Sequence, residues 1–147
     1  MEIVRAETKD IPDLCRLLSY LFEQEAEFSA DSGVQEKGLK LIIDDPSTGD
    51  ILIMRKNGQT IGMVNLLYTV STALGGKAAL LEDMIVSPEH RNGGAGGRLL
   101  RAAADYAKKQ GCLRITLLTD AVNEEAQRFY ERHGFSVSPM LPMRLIL

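Results

Sequence analysis

A strand that runs straight into four glycines and then into a helix limits what this chain can be. Residues 82–100 read Glu82-Asp83-Met84-Ile85-Val86-Ser87-Pro88-Glu89-His90-Arg91-Asn92-Gly93-Gly94-Ala95-Gly96-Gly97-Arg98-Leu99-Leu100. The β-rich run ends at a Pro-bearing turn, and the helix-patterned segment starts directly after the glycines. Such a junction exposes backbone N–H groups at a helix N-terminus, where the helix dipole also favours an anion, typically a phosphate. Two familiar phosphate loops do not fit. A P-loop ends in Gly-Lys-Ser/Thr, whereas Gly96 is followed by Gly97 and Arg98. A dinucleotide fingerprint needs Gly or Ala three residues after Gly96, and position 99 is Leu. ATPase and nicotinamide-dehydrogenase chemistry therefore fall away.

The rest of the chain supplies a mixed α/β pattern. Met1–Glu7 alternates as a first strand. Thr8 and Asp10 are N-cap candidates before Pro12, and Ile11, Leu14, Leu18, Leu21 and Phe22 recur at helical spacing, predicting a helix to about Glu27. A shorter helix is expected over Val34–Asp44. Ile51–Met54 and Ile61–Val70 form a hairpin about Asn57-Gly58, and Ala78–Ser87 leads into the glycine loop after a Gly75-Gly76 turn. Leu99, Leu100, Ala103, Tyr106 and Ala107 mark a buried helix face ending near Gly111. Leu113–Thr119 reads as a strand covered on both faces, Asn123 opens a last helix, and Phe135–Val137 and Met143–Leu147 read as short terminal strands. The expected order is β-α-α-β-β-β-α-β-α-β-β around one twisted mixed sheet.

At 147 residues, with 45% hydrophobic and 25% charged side chains, one domain spanning 1–147 is the simplest organisation. No apolar stretch approaches the roughly 20 residues that span a bilayer, and Met1–Arg5 carries no leader pattern. Cys15 and Cys112 make no disulfide framework, so a reducing cytoplasm is expected. Residues 1–45 hold 11 acidic and 5 basic side chains, and residues 46–147 hold 9 and 12. That split argues against a nucleic-acid module, which wants a basic stripe. It suits a protein with an anionic ligand in one part and a cationic one in the other, although solvated helix faces would look the same.

Two motifs carry a family resemblance. Arg91-x-x-Gly94-x-Gly96, preceded by Ile85-Val86-Ser87-Pro88-Glu89, resembles the acetyl-CoA pyrophosphate loop of the GCN5-related N-acetyltransferase (GNAT) family. Asn123-Glu124-Glu125-Ala126-Gln127-Arg128-Phe129-Tyr130-Glu131-Arg132-His133-Gly134-Phe135 is similar to that family's Asn-x-x-Ala-x-x-Phe/Leu-Tyr-x-x-x-Gly-Phe segment. The order of elements resembles the family over essentially the whole chain. The resemblance implies acetyl-CoA as cosubstrate and no metal. Its pyrophosphate would lie on Asn92, Gly93, Gly94, Ala95, Gly96 and Gly97, with Arg91 and Arg98 adding charge. Its pantetheine arm would pair with the backbone of Met84, Ile85 and Val86 and meet Asn123. Tyr130 would protonate the departing thiolate. Dimers through the C-terminal strands are common in the family, so a homodimer is possible.

Acetyl transfer to an amine needs a neutral nucleophile and hence a base. Glu82 and Asp83 interrupt an apolar strand, where two acids are costly unless functional, paired or exposed. Strand alternation would put them on opposite faces. The Leu81-Glu82-Asp83 run resembles polyamine acetyltransferases, which implies Glu82 as base and Asp83 as its structural companion; the reverse and a water chain stay open. In the family the first helix-loop-helix covers the acceptor, which points to Phe22, Glu23, Glu27 and Asp83 as acceptor-side residues. Glu25, Asp31 and Glu36 add to a carboxylate-rich stretch suited to a small cationic amine. Protein N-termini or lysines are alternative acceptors, and a non-catalytic acyl-CoA-binding module is an alternative function. His90 and His133 lack metal-ligand spacing and read as surface residues, and neither cysteine reads as a nucleophile.

Overall fold

The computed structural model describes residues 1–24 and 31–147. Its frame is a five-stranded sheet of β1 (Glu2–Arg5), β2 (Gly49–Lys56), β3 (Gln59–Ser71), β4 (Gly76–Val86) and β5 (Ile115–Leu117), ordered as in the sequence. The first four strands are antiparallel, and β5 joins β4 in parallel. A parallel neighbour needs a crossover, and helix α3 (Ala95–Lys109) supplies it. Helices α1 (Ile11–Gln24) and α2 (Ser32–Ile43) precede the sheet's central strands, and α4 (Glu124–Arg132) follows β5.

The sheet separates two apolar layers. On one face Leu14, Leu17, Leu18 and Leu39 of α1 and α2 pack against Ile51, Ile53, Met63 and Ile85. On the other, Leu99, Leu100, Ala103 and Ala107 of α3 pack against Leu52, Val64, Leu66, Ala79, Leu81 and Val86. Alternation along β2 and β3 sorts these side chains, as a sheet covered on both faces requires.

Local chemistry fixes the junctions. Asp10 accepts the Glu7 backbone N–H at 2.8 Å and the Arg55 guanidinium at 2.7 Å, so it pins the start of α1 to β2. Asp31 caps α2 by accepting the N–H groups of Gly33 and Val34. Asn57 and Gly58 both take positive φ, as a tight two-residue hairpin demands.

Two expectations are corrected. Residues 135–147 form no strand, and among the described residues no strand lies beyond the three-residue β5. The side chains of Val137, Met140, Leu141, Met143, Leu145, Ile146 and Leu147 are all exposed. Next, β5 is shorter than Leu113–Thr119 and stands at the sheet edge, half-exposed, rather than covered on both faces. Cys112 accordingly lies in the turn before it. Asp31, from the carboxylate-rich stretch, caps α2 through Oδ1. Glu25 and Glu27 lie outside the described residues. Among the described residues no helix is long and apolar enough to cross a membrane.

Candidate active site

The site begins with a fault in the β3–β4 ladder. Asn65 is paired with Asp83, and the next pair is Leu66 with Leu81, so Glu82 is an extra residue with no partner. Such a bulge resets the alternation. Leu81, Met84 and Val86 join the α3-side layer and Ile85 the α1-side layer, which leaves Asp83 facing the α1 side. The bulge replaces the regular alternation that the sequence reading assumed, and it is Asp83 that faces the α1 side. Glu82 is exposed, whereas Asp83 is half-buried and accepts from Asn65 Nδ2 at 3.1 Å. Burial pushes the Asp83 carboxyl up to about 6; the Asn65 hydrogen bond pulls it down, and the Glu82 charge adds to the rise.

Beyond the bulge β4 has a free edge. Its pairing with β5 stops at Leu81 and Leu117, while its pairing with β3 continues to Val86. Residues 82–86 thus offer backbone groups on one side to β3 and on the other to no strand. An extended ligand arm with amide groups is what such an edge can accept.

The glycine loop closes one end of this edge. Arg91 Nε donates to the Val86 carbonyl at 2.9 Å, tying the loop back to the strand. Asn92 and Gly94 take φ of 67° and 81°, and Gly94 is the N-cap of α3, with no side chain capping the helix. The first amide to bond back is that of Arg98, to the Gly94 carbonyl. The N–H groups of Ala95, Gly96 and Gly97 make no hydrogen bond to a described residue, and three uncapped amides at a helix start fit a pyrophosphate.

Helix α4 crosses this helix start at close range. A Cβ on Gly96 would lie 3.5 Å from the Phe129 ring, and one on Gly97 would lie 3.0 Å from His133 Nε2. Those two glycines are small because α4 is near. His133 is held by its Nδ1 against the Phe129 carbonyl at 2.8 Å, and its ring is 4.7 Å from that of Phe129. It is therefore a half-buried packing residue, not a surface one. His90 is likewise held, by Ser87 Oγ at 2.9 Å.

Tyr130 is set by rings on both sides, with Phe129 at 5.2 Å and Phe135 at 5.7 Å, each edge-on. It packs on the α3-side layer that includes Met84, and burial raises its phenol. Asn123 spends its carbonyl oxygen capping α4 at Ala126, and its amide nitrogen makes no hydrogen bond to a described residue. Phe22 is half-buried at the end of α1, and Glu23 beside it is exposed. The residue missed altogether is Asn65, buried in the apolar run Ile61–Leu67. Its signal was a lone amide where every neighbouring side chain is apolar.

This arrangement of bulge, splayed edge and uncapped helix is met by the comparisons. The sequence model of the Acetyltransferase (GNAT) family matches residues 14–135. The "Uncharacterized N-acetyltransferase YhfO" of Bacillus subtilis (strain 168) is 36% identical over 138 residues, covering 92% of this chain and 89% of that protein. Among solved structures, a possible acetyltransferase from Clostridium difficile 630 superposes with a TM-score of 0.87 at 19% identity, covering 99% of this chain and 98% of that one. An aminoglycoside N-acetyltransferase in complex with CoA superposes with a TM-score of 0.83 at 16% identity, covering 99% and 93%. The last two likenesses are of fold. With the family match and the Bacillus relative they lead to one conclusion: the chain belongs to the GNAT family and is an N-acetyltransferase of the EC 2.3.1 class.

Proposed function

We propose that this enzyme moves an acetyl group from acetyl-CoA to the primary amine of a small cationic molecule, by direct attack within a ternary complex. The observation that carries the reading is the free β4 edge at residues 82–86, with the uncapped α3 amides at one end and Asp83 and Tyr130 approaching from opposite layers. Acetyl-CoA supplies the thioester; the uncapped amides of residues 95–97 hold its pyrophosphate, aided by Arg91, Asn92, Gly93 and Gly94. Backbone groups of Met84, Ile85 and Val86 hold its arm and polarise the thioester carbonyl, and the free amide nitrogen of Asn123 faces the same ligand.

Asp83 is the base in this reading. The ammonium proton passes to its carboxylate, the neutral nitrogen attacks the acetyl carbonyl, and Tyr130 gives its proton to the departing sulfur. What favours Asp83 over Glu82 is its burial, its fixed rotamer and a carboxyl pushed close to neutral pH. Glu82, exposed on the bulge, then raises the local negative charge or acts through water. Phe22 and Glu23 border the acceptor, and an acidic first third of the chain favours a cationic one.

Two further parts of the reading concern setting. The apolar, exposed run from Val137 to Leu147 and the unpaired outer edge of β5 support a homodimer. Two free cysteines suit a reducing cytoplasm. The deciding experiment is release of free CoA thiol from acetyl-CoA across polyamines, diamines, aminoglycosides, amino acids and peptides. Turnover led by the small polycations supports the proposal. Turnover confined to peptides redirects the acceptor to a protein N-terminus or lysine, and thermal stabilisation by acetyl-CoA without turnover on any amine supports a binding module.

A further inference from the structure

We infer that Asn65 is the positioning residue for proton removal: from β3 it clamps one oxygen of the Asp83 carboxylate, directs the other toward the acceptor amine, and stays hydrogen-bonded to Asp83 in both of its charge states. This rests on the reading of Asp83 as base. Three observations carry it.

The first is burial. Asn65 is 3% exposed and stands among Met63, Val64 and Leu66, all fully buried. A buried amide in an apolar layer costs free energy unless its groups are paired. An apolar residue at position 65 would pack there at lower cost, so the amide is retained for what it touches.

The second is the register. The bulge at Glu82 aligns Asn65 with Asp83, and the amide Nδ2 donates to Asp83 Oδ2 at 3.1 Å. A regular ladder would have put Glu82 opposite Asn65 and turned Asp83 to the other layer. The bulge therefore selects which acid meets the amide. With Oδ2 held, Asp83 Oδ1 makes no hydrogen bond to a described residue and is the oxygen left for a proton.

The third is the orphan. Asn65 Oδ1 is buried and has no hydrogen-bond partner among the described residues. An unpaired buried acceptor is destabilising, because it has given up water and gained no donor. The amide carries that cost with Nδ2, not Oδ1, aimed at Asp83. Once Asp83 has taken the ammonium proton on Oδ1, its Oδ2 is the carbonyl oxygen of the acid and keeps the Nδ2–H bond, more weakly than the carboxylate did. The donor side of the amide thus serves Asp83 in both charge states. Leu, Ser or Asp at position 65 would satisfy at most one of these states.

The charged group acting on Asp83 among the described residues is Glu82, next along β4. On α1, Arg16 reaches the Thr60 carbonyl of β3, and Cys15 and Tyr20 pack on the layer that Asp83 faces; α2 and β2 contribute Leu39, Ile42, Ile43, Ile51 and Ile53 to that layer.

The test is the pH dependence of kcat/KM in Asn65→Leu, which is close in size and carries no polar atom. Losing the Nδ2 donor removes a bond to the charged form, so the acid limb is expected to move up by about one pH unit. The rate then falls about fivefold at pH 6, approaches a tenfold loss below pH 5, and stays within a few-fold of wild type at pH 9. A packing role would lower the rate evenly at every pH or not at all, and a limb that stays put overturns the inference. Asn65→Ser, too short to reach Asp83, must move the limb in the same direction and covers the case in which the Leu variant does not fold. Asp83→Asn separates the two layers of the argument. If that variant keeps the wild-type rate and profile, the base reading fails. If it loses activity while the Asn65 variants keep the limb in place, the base reading stands and the role given to Asn65 fails.

Discussion

His133 Nε2 lies 3.0 Å from where a Cβ on Gly97 would stand, so helix α4 reaches the start of α3 with no room for a side chain between them. The helix that carries Tyr130 is thereby referenced to the helix whose first amides are uncapped. The start of α3 and the helix that bears Tyr130 are one packed unit.

Gly97→Val is expected to push His133 and Arg101 away and to destabilise the protein by about 1–3 kcal/mol, the usual range for overpacking. Turnover should fall with it, because Tyr130 moves with α4. Gly93→Ala is the control: its Cβ meets open space, and thermal melting should be close to wild type. Equal melting temperatures for the two variants would contradict the packing described here.

With Asp83 raised to about 6, the rate on a small amine should fall as pH drops through that value. Asp83→Asn should lose on the order of 100-fold or more on the plateau, in the range typical for a general base. Glu82→Gln removes a like charge beside Asp83, so its acid limb should move to lower pH with the plateau largely kept. Collapse of Glu82→Gln with survival of Asp83→Asn would return the base to Glu82.

The same carboxyl makes a stability prediction of definite sign. Its folded value lies above its ordinary 3.8, so the folded state holds the proton more tightly than the unfolded one. The stability that goes with this is fully present below about pH 4 and is lost as pH rises through about 6. Asp83→Asn buries no charge. It should melt above wild type at pH 8, by up to about 3 kcal/mol in stability, with the gap closing toward pH 4. Calorimetry at the two pH values checks the sign.

Tyr130→Phe keeps the edge-on contacts with Phe129 and Phe135 and removes only the hydroxyl. Acetyl-CoA should still raise the melting temperature, while kcat falls on the order of 100-fold. Since burial raises the phenol, the wild-type enzyme should show its basic limb above pH 10 rather than below it. Full activity in the Phe variant would remove Tyr130 from the acid role.

The exposed tail should make the chain a dimer in solution. Light scattering behind gel filtration is expected to give twice the chain mass of 16.2 kDa. Leu145→Glu, on a side chain that is 84% exposed, should shift the mass toward one chain without lowering the helix content. A wild-type mass of one chain would leave the apolar run unexplained by self-association.

Much of the site was legible in the residues themselves because its signals are local. Gly94 needs a positive φ, Asn123 caps its own helix, and the Asn57-Gly58 turn sets the β2–β3 pairing; each depends on neighbours a few positions away. Most of the order of strands and helices followed from the same short-range periodicities, and the family resemblance rested on two local motifs, Arg91–Gly96 and Asn123–Phe135.

Pairings across long sequence separations were not legible. The bulge that turns Asp83 rather than Glu82 toward Asn65 is a property of the β3–β4 register, 18 residues apart, and period-2 alternation within one strand cannot reveal it. The contact of Gly97 with His133 depends on how α4 packs, 36 positions later. Whether residues 135–147 pair as strands depends on an edge to pair with, and β5 ends after three residues. Sequence by itself determined which chemical groups the chain carries and in which local shapes. The tertiary structure decided which acid is buried, what holds it, and which apolar surface is left uncovered, because desolvation and register are set only when distant strands meet.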